Sequence, residues 1–307
     1  MGTSYQITLL SSKEKADKIH QQVEIQLKKI NQLMSTYIDD SELSVFNRST
    51  SLDCQSVSAE TYLVVKNSLM VSRQTNGKFD VTISPLIAEW GFDKKQTGNT
   101  VPEEETIKKL LAGVGYHHIR LGENCIQKAL SNLSINLSAI AKGYGVDQIA
   151  DLLIKNDITD YLVEIGGETA SKGVNPQSVS WRLAIESPVE QHRQIQQVFN
   201  PLGLGVATSG DYRNYFEKNG VRYSHTIDPS NGKPVTHKLA SVTVLHPQTM
   251  LADAYATAFS VMGEVSSLNF ANKNEIPAYL LVKTETGFKT IYSEAFAKHL
   301  ILADNAR

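Results

Sequence analysis

Asp253 and Thr257 are the first residues in this chain that invite a chemical reading. The run around them, Leu251-Ala252-Asp253-Ala254-Tyr255-Ala256-Thr257, predicts a helix, and a spacing of four places the carboxylate and the hydroxyl on one face, a turn apart. Both are hard oxygen donors. Mg²⁺ takes such ligands, keeps several waters and is commonly held by one or two protein groups plus substrate phosphate oxygens, so the pair would form a partial site that a ligand completes. The competing reading is structural: an Asp near a helix start answers the helix dipole, and a Thr bonds back to a helical carbonyl. On spacing alone the structural reading is the commoner one.

A second stretch, Asn136-Leu137-Ser138-Ala139-Ile140-Ala141-Lys142-Gly143-Tyr144-Gly145-Val146-Asp147, runs from an expected strand into an expected helix. Free N–H groups and the positive dipole end make such a turn, with Lys142 on it, an anion cradle. The glycines form neither a Walker A loop nor a complete Gly-x-Gly-x-x-Gly fingerprint, and close packing explains Gly143 and Gly145 equally well. A third stretch, 203–234, holds Ala207-Thr208-Ser209-Gly210-Asp211-Tyr212-Arg213 and Tyr223-Ser224-His225-Thr226-Ile227-Asp228-Pro229. Thr208, Ser209 and Gly210 offer small donors for a phosphate, and His225, on a strand just before a turn, is a candidate base. Lone histidines more often do structural or surface work, the role expected of His117, His118, His192, His237, His246 and His299. Two loops carry rings that can clamp a flat heterocycle by stacking. These are Met34-Ser35-Thr36-Tyr37, and Asn76-Gly77-Lys78-Phe79-Asp80 with Glu89-Trp90-Gly91-Phe92. For Trp90 a core anchor is the favoured reading.

The elements that must position these groups follow from periodicity. A strand is predicted over 5–10 and a helix over 12–34, with Ile19, Val23, Ile25, Leu27, Ile30 and Leu33 on its apolar side. Further helices are predicted over 59–75, stopped by Asn76-Gly77, and over 102–112, where Pro102 and three glutamates suit a helix start. The segment 77–100 between them reads as loop. A strand–helix–strand unit is predicted at 133–137, 141–156 and 161–165, ending at Gly166-Gly167. Strands then dominate, at 181–186, 204–208, 223–228, 241–245, 278–282 and 288–292, with one helix over 251–262. The fold class is α+β, with mixed, largely antiparallel sheets flanked by helices. No repeat or Pro/Ser-rich linker divides the chain, so 1–307 is expected to be a single integrated unit, or two closely packed subdomains.

The bulk properties exclude several function classes. With 307 residues, 41% of them hydrophobic, the chain can bury a large core. Lys+Arg 30 against Asp+Glu 32 gives a net charge of -2, which provides no field for nucleic acid or an anionic membrane. Cys54 and Cys125 are far apart and lack Cys or His neighbours at metal-ligand spacing, so neither a disulfide framework nor a zinc site is expected. No apolar run is long enough to span a bilayer, and the start lacks a signal pattern, which is also how a chain trimmed of a signal or lipid-anchor segment would look.

In order and wording these segments resemble the FAD:protein FMN transferase family, the ApbE-type flavin transferases. The resemblance covers nearly the whole chain, from Met1-Gly2-Thr3 through Met34 to Tyr37, Gly77 to Asp80, Trp90-Gly91-Phe92, Ala139 to Gly143, Ile165-Gly166-Gly167, Thr208 to Arg213 and Ser224 to Pro229, ending in Ala252 to Thr257. It implies an ApbE-like, T-fold-like architecture in which Tyr37, the turn Lys78-Phe79-Asp80, Asn136, Lys142 and the backbone near Ile227 line an FAD site with Met1 at its edge, to which Thr208 and Ser209 would add their phosphate donors. It implies Mg²⁺ bound by Asp253, Thr257 and the Ala139 carbonyl, His225 as base, and an acceptor protein presenting a Thr or Ser hydroxyl; in the mechanism expected from these parts Asp228 would orient His225. Family members commonly carry Asp where this chain has Asn136, which keeps an acceptor and loses the charge. Exported or lipid-anchored placement on the periplasmic face of the inner membrane is implied by the same resemblance. Two other activities share these parts: an Mg²⁺-dependent FAD diphosphatase yielding FMN and AMP, and a non-catalytic flavin-binding protein. In the family Tyr at position 37 accompanies transfer and Asn accompanies hydrolysis.

Overall fold

The computed structural model describes residues 2–92, 101–188, 194–210 and 215–301; Met1, His192, Asp211, Tyr212 and Arg213 lie outside them. The chain divides into two compact units, one made of Met1–Lys28, Lys142–Tyr212 and Lys238–Arg307, the other of Lys29–Ala141 and Arg213–His237. Among the described residues the α-helices are α1 (Lys13–Met34), α2 (Glu42–Arg48), α3 (Ala59–Gln74), α4 (Ser84–Glu89), α5 (Glu104–Leu111), α6 (Ala141–Lys155) and α7 (Thr249–Lys273). None is long and apolar enough to cross a membrane.

The first unit is built on an antiparallel seven-stranded sheet in the order Tyr5–Leu9, Tyr161–Ile165, Glu168–Lys172, Gly205–Gly210, Leu239–His246, Ala278–Thr284, Gly287–Tyr292. Leu239–His246 is buried along nearly its whole length, as a central strand must be. Ile19, Val23 and Leu27, spaced by four on α1, pack with Val146, Ile149 and Leu153 of α6 and with Tyr161, Val163 and Ile165 of the sheet. Ile25, expected on the apolar side, is instead 70% exposed, because its phase falls off that stripe. The strands at Tyr161–Ile165 and Glu168–Lys172 form a hairpin whose two turn residues, Gly166 (φ 63°) and Gly167 (φ 102°), adopt the positive φ that a tight two-residue turn demands. α7 is interrupted at Gly263 (φ 76°, ψ 172°), directly after the predicted helix end at Met262. Ser267 Oγ donates to the Phe259 carbonyl (2.9 Å) across that break.

The second unit contains a three-stranded antiparallel sheet, Gln55–Ser56, Cys125–Lys128 and Ile119–Leu121, and the hairpins Tyr215–Lys218/Val221–Ser224 and Ile227–Asp228/Lys233–Pro234. Leu86, Trp90, Ile107, Val114, Phe216 and Ile227 form one core cluster. Trp90 is the core anchor expected of it: it is 3% exposed, stacks on Tyr223 and donates its Nε1–H to the Gly232 carbonyl at 2.8 Å. Lys128 is fully buried, and its ammonium is satisfied by carbonyls: it donates to those of Asn47 (3.0 Å) and Ser49 (2.8 Å) and so closes the C-terminus of α2.

Four further expectations from the sequence are corrected by the fold. The segment 133–137 forms no strand and joins no sheet: Asn47 bonds both backbone groups of Ile135 (2.8 Å each), and Asn136 N–H donates to the Val81 carbonyl (2.7 Å). A side chain has taken the place of a neighbouring strand. The segment read as loop between 77 and 92 contains α4, with Pro85 in its first turn. The strand expected over 223–228 is broken between Ser224 and Ile227. Cys54 and Cys125 form a disulfide, their Cα atoms 5.5 Å apart, because the pairing of Gln55–Ser56 with Cys125–Lys128 brings together residues that sequence distance keeps apart. A Cβ on Gly122 would sit 2.6 Å from Cys125 Sγ, so this position accepts no side chain without a shift.

The disulfide closes a 71-residue separation, and the loop-entropy relation gives a loss of about 4 kcal/mol when it is removed. Guanidinium unfolding of a C54A/C125A variant is expected to show a midpoint lowered accordingly; a midpoint equal to that of the oxidised protein would contradict this.

Candidate functional site

In the first unit, three charged side chains from three elements meet. Lys142, on the first turn of α6, places Nζ 3.2 and 3.3 Å from the two carboxylate oxygens of Asp253 on α7 and 3.1 Å from Glu168 Oε1 at the start of its strand. Glu168 is 3% and Asp253 4% exposed, so two carboxylates share one ammonium out of water. Burial works against the Lys142 charge, but Asp253 and Glu168 outweigh it and hold the lysine well above its usual pKa. Burial, reinforced by the Asp253 charge and opposed by Lys142, pushes Glu168 up to about 8. Glu168 Oε2 is buried with no hydrogen-bond partner among the described residues.

The N-termini of α6 and α7 close one another. Gly143 N–H, one of the donors an α-helix leaves free in its first turn, donates to Asp253 Oδ2 (3.1 Å). In return Asp147 accepts from the N–H groups of Thr249 (2.8 Å) and Met250 (2.9 Å), the first two residues of α7, whose N-cap Gln248 supplies no side-chain bond. Each helix thus lends the other a carboxylate from the position four residues beyond the donor it exposes. Burial pushes Asp147 up, and the bonds from α7 pull it back. The contact is too close for a side chain at Gly143, where a Cβ would stand 2.4 Å from the Thr249 carbonyl oxygen. The sequence leaves open whether Gly143 serves packing or an anion; its packing role is visible.

Thr257 lies one turn beyond Asp253 on α7 and is the one residue of 251–260 that is not buried. Thr208 and Ser209 are adjacent on the strand Gly205–Gly210, which runs further than the predicted 204–208. Side chains alternate faces along a strand, so one ligand can face only one of the two. Thr208 Oγ1 lies 2.8 Å from Thr243 Oγ1 on the neighbouring strand.

In the second unit Lys78 Nζ contacts both oxygens of Asp228 (2.7 and 3.0 Å) and Ser230 Oγ (3.1 Å). Burial opposes the Asp228 charge, but bonds from Lys78 and Ser230 hold its carboxyl below the usual value. Asp80 is turned inward, accepting from the Thr82 N–H (2.8 Å), the Thr82 hydroxyl (2.6 Å) and the Tyr116 N–H (2.7 Å). Burial raises its pKa against the pull of those bonds. The Phe79 ring is 2% exposed and its N–H donates to Thr75 Oγ1 at 3.2 Å. The Ile227 side chain belongs to the core cluster. Tyr37 is 56% exposed, which leaves ring surface for stacking. Asn136 Oδ1 accepts from Ser138 N–H (2.9 Å), an acceptor role that Asn fills as well as Asp, three residues before Ala139. His225 falls in the break between two strands, not on one; Phe92 meets it edge-on at 6.3 Å, and Ser224 Oγ accepts Thr226 N–H (3.1 Å) to close the turn around it.

Among the described residues no three His, Cys, Asp or Glu side chains converge as metal ligands. Asp147 and Glu168 are the participants that sequence reasoning missed. Glu168 did carry a signal, a charge directly after Gly166-Gly167 at the start of a sheet strand, but nothing local names Lys142 as its partner.

Residues 1–280 match the ApbE family. A FAD:protein FMN transferase of Vibrio cholerae is 44% identical over 302 residues, covering 98% of this chain and 90% of that protein. One from Haemophilus influenzae is 40% identical, over 97% of this chain and 89% of that protein. The solved structure of the flavin transferase ApbE from Vibrio cholerae superposes with a TM-score of 0.91 at 40% identity, over 98% of this chain and 96% of that one.

Two outcomes test this geometry. D147A leaves two buried N–H groups of α7 without an acceptor and is expected to cost about 2 kcal/mol in denaturant unfolding; an unchanged midpoint would remove the cross-capping role. The Asp228 carboxyl is held low, so the contribution of its ion pair is present above the ordinary Asp value and lost as pH falls through the lowered one. K78M is therefore expected to be less stable than the parent near neutrality, with the gap closing as the pH falls below about 4. A gap that is constant with pH would contradict the assignment.

Proposed function

The chain belongs to the ApbE family and transfers the FMN moiety of FAD to an acceptor protein, and we propose that it does so with Mg²⁺, onto a Thr or Ser hydroxyl, releasing AMP. The observation that carries the metal reading is the buried oxygen cluster of the first unit. Two carboxyl groups face one ammonium there, Glu168 Oε2 has no hydrogen-bond partner among the described residues, and every acceptor is a hard oxygen, which fits a hard divalent cation. Asp253, Thr257 and the Ala139 carbonyl are its protein ligands in this reading. When bound, Mg²⁺ supplies charge neutralisation on the diphosphate oxygens.

The chain's own residues do the remaining work by position and charge. Lys142 keeps its positive charge across the physiological range and adds it to the diphosphate site. Tyr37 offers an exposed ring for the flavin, and Lys78, Phe79, Asp80, Asn136, Ile227 and one of the adjacent pair Thr208 and Ser209 complete the FAD contacts, with Met1 beyond the described residues. Phe79 and Ile227 bury their side chains in the core, so they contribute backbone. His225 takes the proton of the incoming hydroxyl. Asp228 serves the site through Lys78, the cation its carboxylate holds. Transfer proceeds by attack of the acceptor oxygen on the FMN phosphorus, with the anhydride bond to AMP breaking.

Export to the periplasmic face of the inner membrane, through a lipid anchor or as a released protein, belongs to the same proposal. The Cys54–Cys125 disulfide supports an oxidising compartment.

With FAD, Mg²⁺ and an acceptor carrying the family's Asp-Gly/Ala-x-Ser/Thr-Gly-Ala/Ser-Thr sequence, the acceptor band should become fluorescent in a denaturing gel. H225A should lower that rate by about 100-fold or more. Flavinylation by H225A at the parental rate would remove His225 from the mechanism, and AMP formed equally fast without acceptor would favour the diphosphatase.

A further inference from the structure

The reaction leaves Glu168 without a task, yet a carboxyl group this deeply buried, with one oxygen on an ammonium and the other without a hydrogen-bond partner among the described residues, needs a reason. Lys142 now occupies the Asp253 carboxylate, meeting both of its oxygens at nearly equal distances. Gly143 N–H fixes Oδ2 of that carboxylate from the backbone side. A divalent cation cannot share Asp253 with an ammonium held this close, since the two charges repel strongly out of water. The ammonium must swing aside, and a buried cation moves only toward another anion.

We propose that Glu168 is a positioning residue for Lys142: it receives the ammonium when a divalent cation takes the place that Lys142 holds on Asp253. The geometry suits an exchange. Glu168 Oε1 already accepts one bond from Lys142 at 3.1 Å, its unpartnered Oε2 stands ready for a second, and the lysine's flexible stem spans both carboxylates without any backbone movement. Lys142 thus keeps Asp253 satisfied until a divalent cation takes its place, and Glu168 sets how readily it leaves. The exchange ends with Asp253 facing the divalent cation and the lysine still paired with Glu168. This inference rests on the reading of Asp253 as a metal ligand.

Two substitutions are expected to move metal affinity in opposite directions, which a merely structural role would not do. Mg²⁺ is titrated calorimetrically into the full-length, FAD-free chain, with Mn²⁺ binding followed by electron paramagnetic resonance as a second readout. E168Q removes the receiving carboxylate and should weaken binding by about 10–100-fold, the range for groups that support a metal ligand. K142M removes the competitor and should tighten binding, with Mg²⁺ raising the melting temperature of K142M more than that of the parent. Unchanged affinity in E168Q, or unchanged or weaker affinity in K142M, overturns the proposal. Should E168Q fail to fold, K142M alone decides it. D253N separates the two layers: parental affinity there rejects Asp253 as a ligand, whereas loss of binding in D253N with parental affinity in E168Q rejects only the exchange.

Discussion

Cross-capping of α6 and α7 is the constraint on which the first unit's chemistry depends. A helix start leaves N–H donors that must find acceptors, and here the acceptors are Asp147 and Asp253, each supplied by the other helix. Because these bonds are short and buried, the two helix starts have one relative position, and Lys142, next to Gly143, inherits it. Asp253 therefore serves two purposes: it closes α6 through the Gly143 N–H and holds the Lys142 ammonium. The absence of a side chain at Gly143 and at Gly205, where a Cβ would lie 2.2 Å from Thr249 Oγ1, is what allows the approach.

A second regularity is that each proposed cationic contact is already held by carboxylates. Lys142 lies between Glu168 and Asp253, and Lys78 lies on Asp228 and Ser230. For Lys78 the two partners leave the ammonium a largely fixed orientation. The cost is desolvation, seen in the upward displacement of Glu168 and Asp147. Both carboxyls remain buried because the fold supplies them with N–H or ammonium donors, one Glu168 oxygen excepted.

Where the signal is local, the fold and the site are legible in the sequence. The four-residue spacing of Ile19, Val23 and Leu27 marks α1, Gly166-Gly167 marks the hairpin, and the run around Asp253 and Thr257 marks the start of α7. The break at Gly263 lies one residue past the predicted helix end. What stays hidden depends on partners distant in sequence. Residues 133–137 have the composition of a strand, and only the distant Asn47 side chain replaces the ladder. Cys54 and Cys125 look unrelated until the sheet pairs their neighbours. Asp147 reads as an ordinary helix residue and Glu168 as an ordinary strand residue, since neither Thr249 nor Lys142 can be inferred from the residues around them. Thr208 and Ser209 show the opposite case, a promising local run that strand alternation divides between two faces.

The central claim is that a cation held by Asp253 and Thr257 makes FAD cleavable for transfer. The most direct measurement is the intact mass of an acceptor peptide after incubation with FAD and the parental or D253N chain, with Mg²⁺ or with a chelator. The predicted result is an added FMN phosphoester only for the parental chain with Mg²⁺, and AMP in equal amount. The same mass gain under chelation, or in D253N, would contradict it.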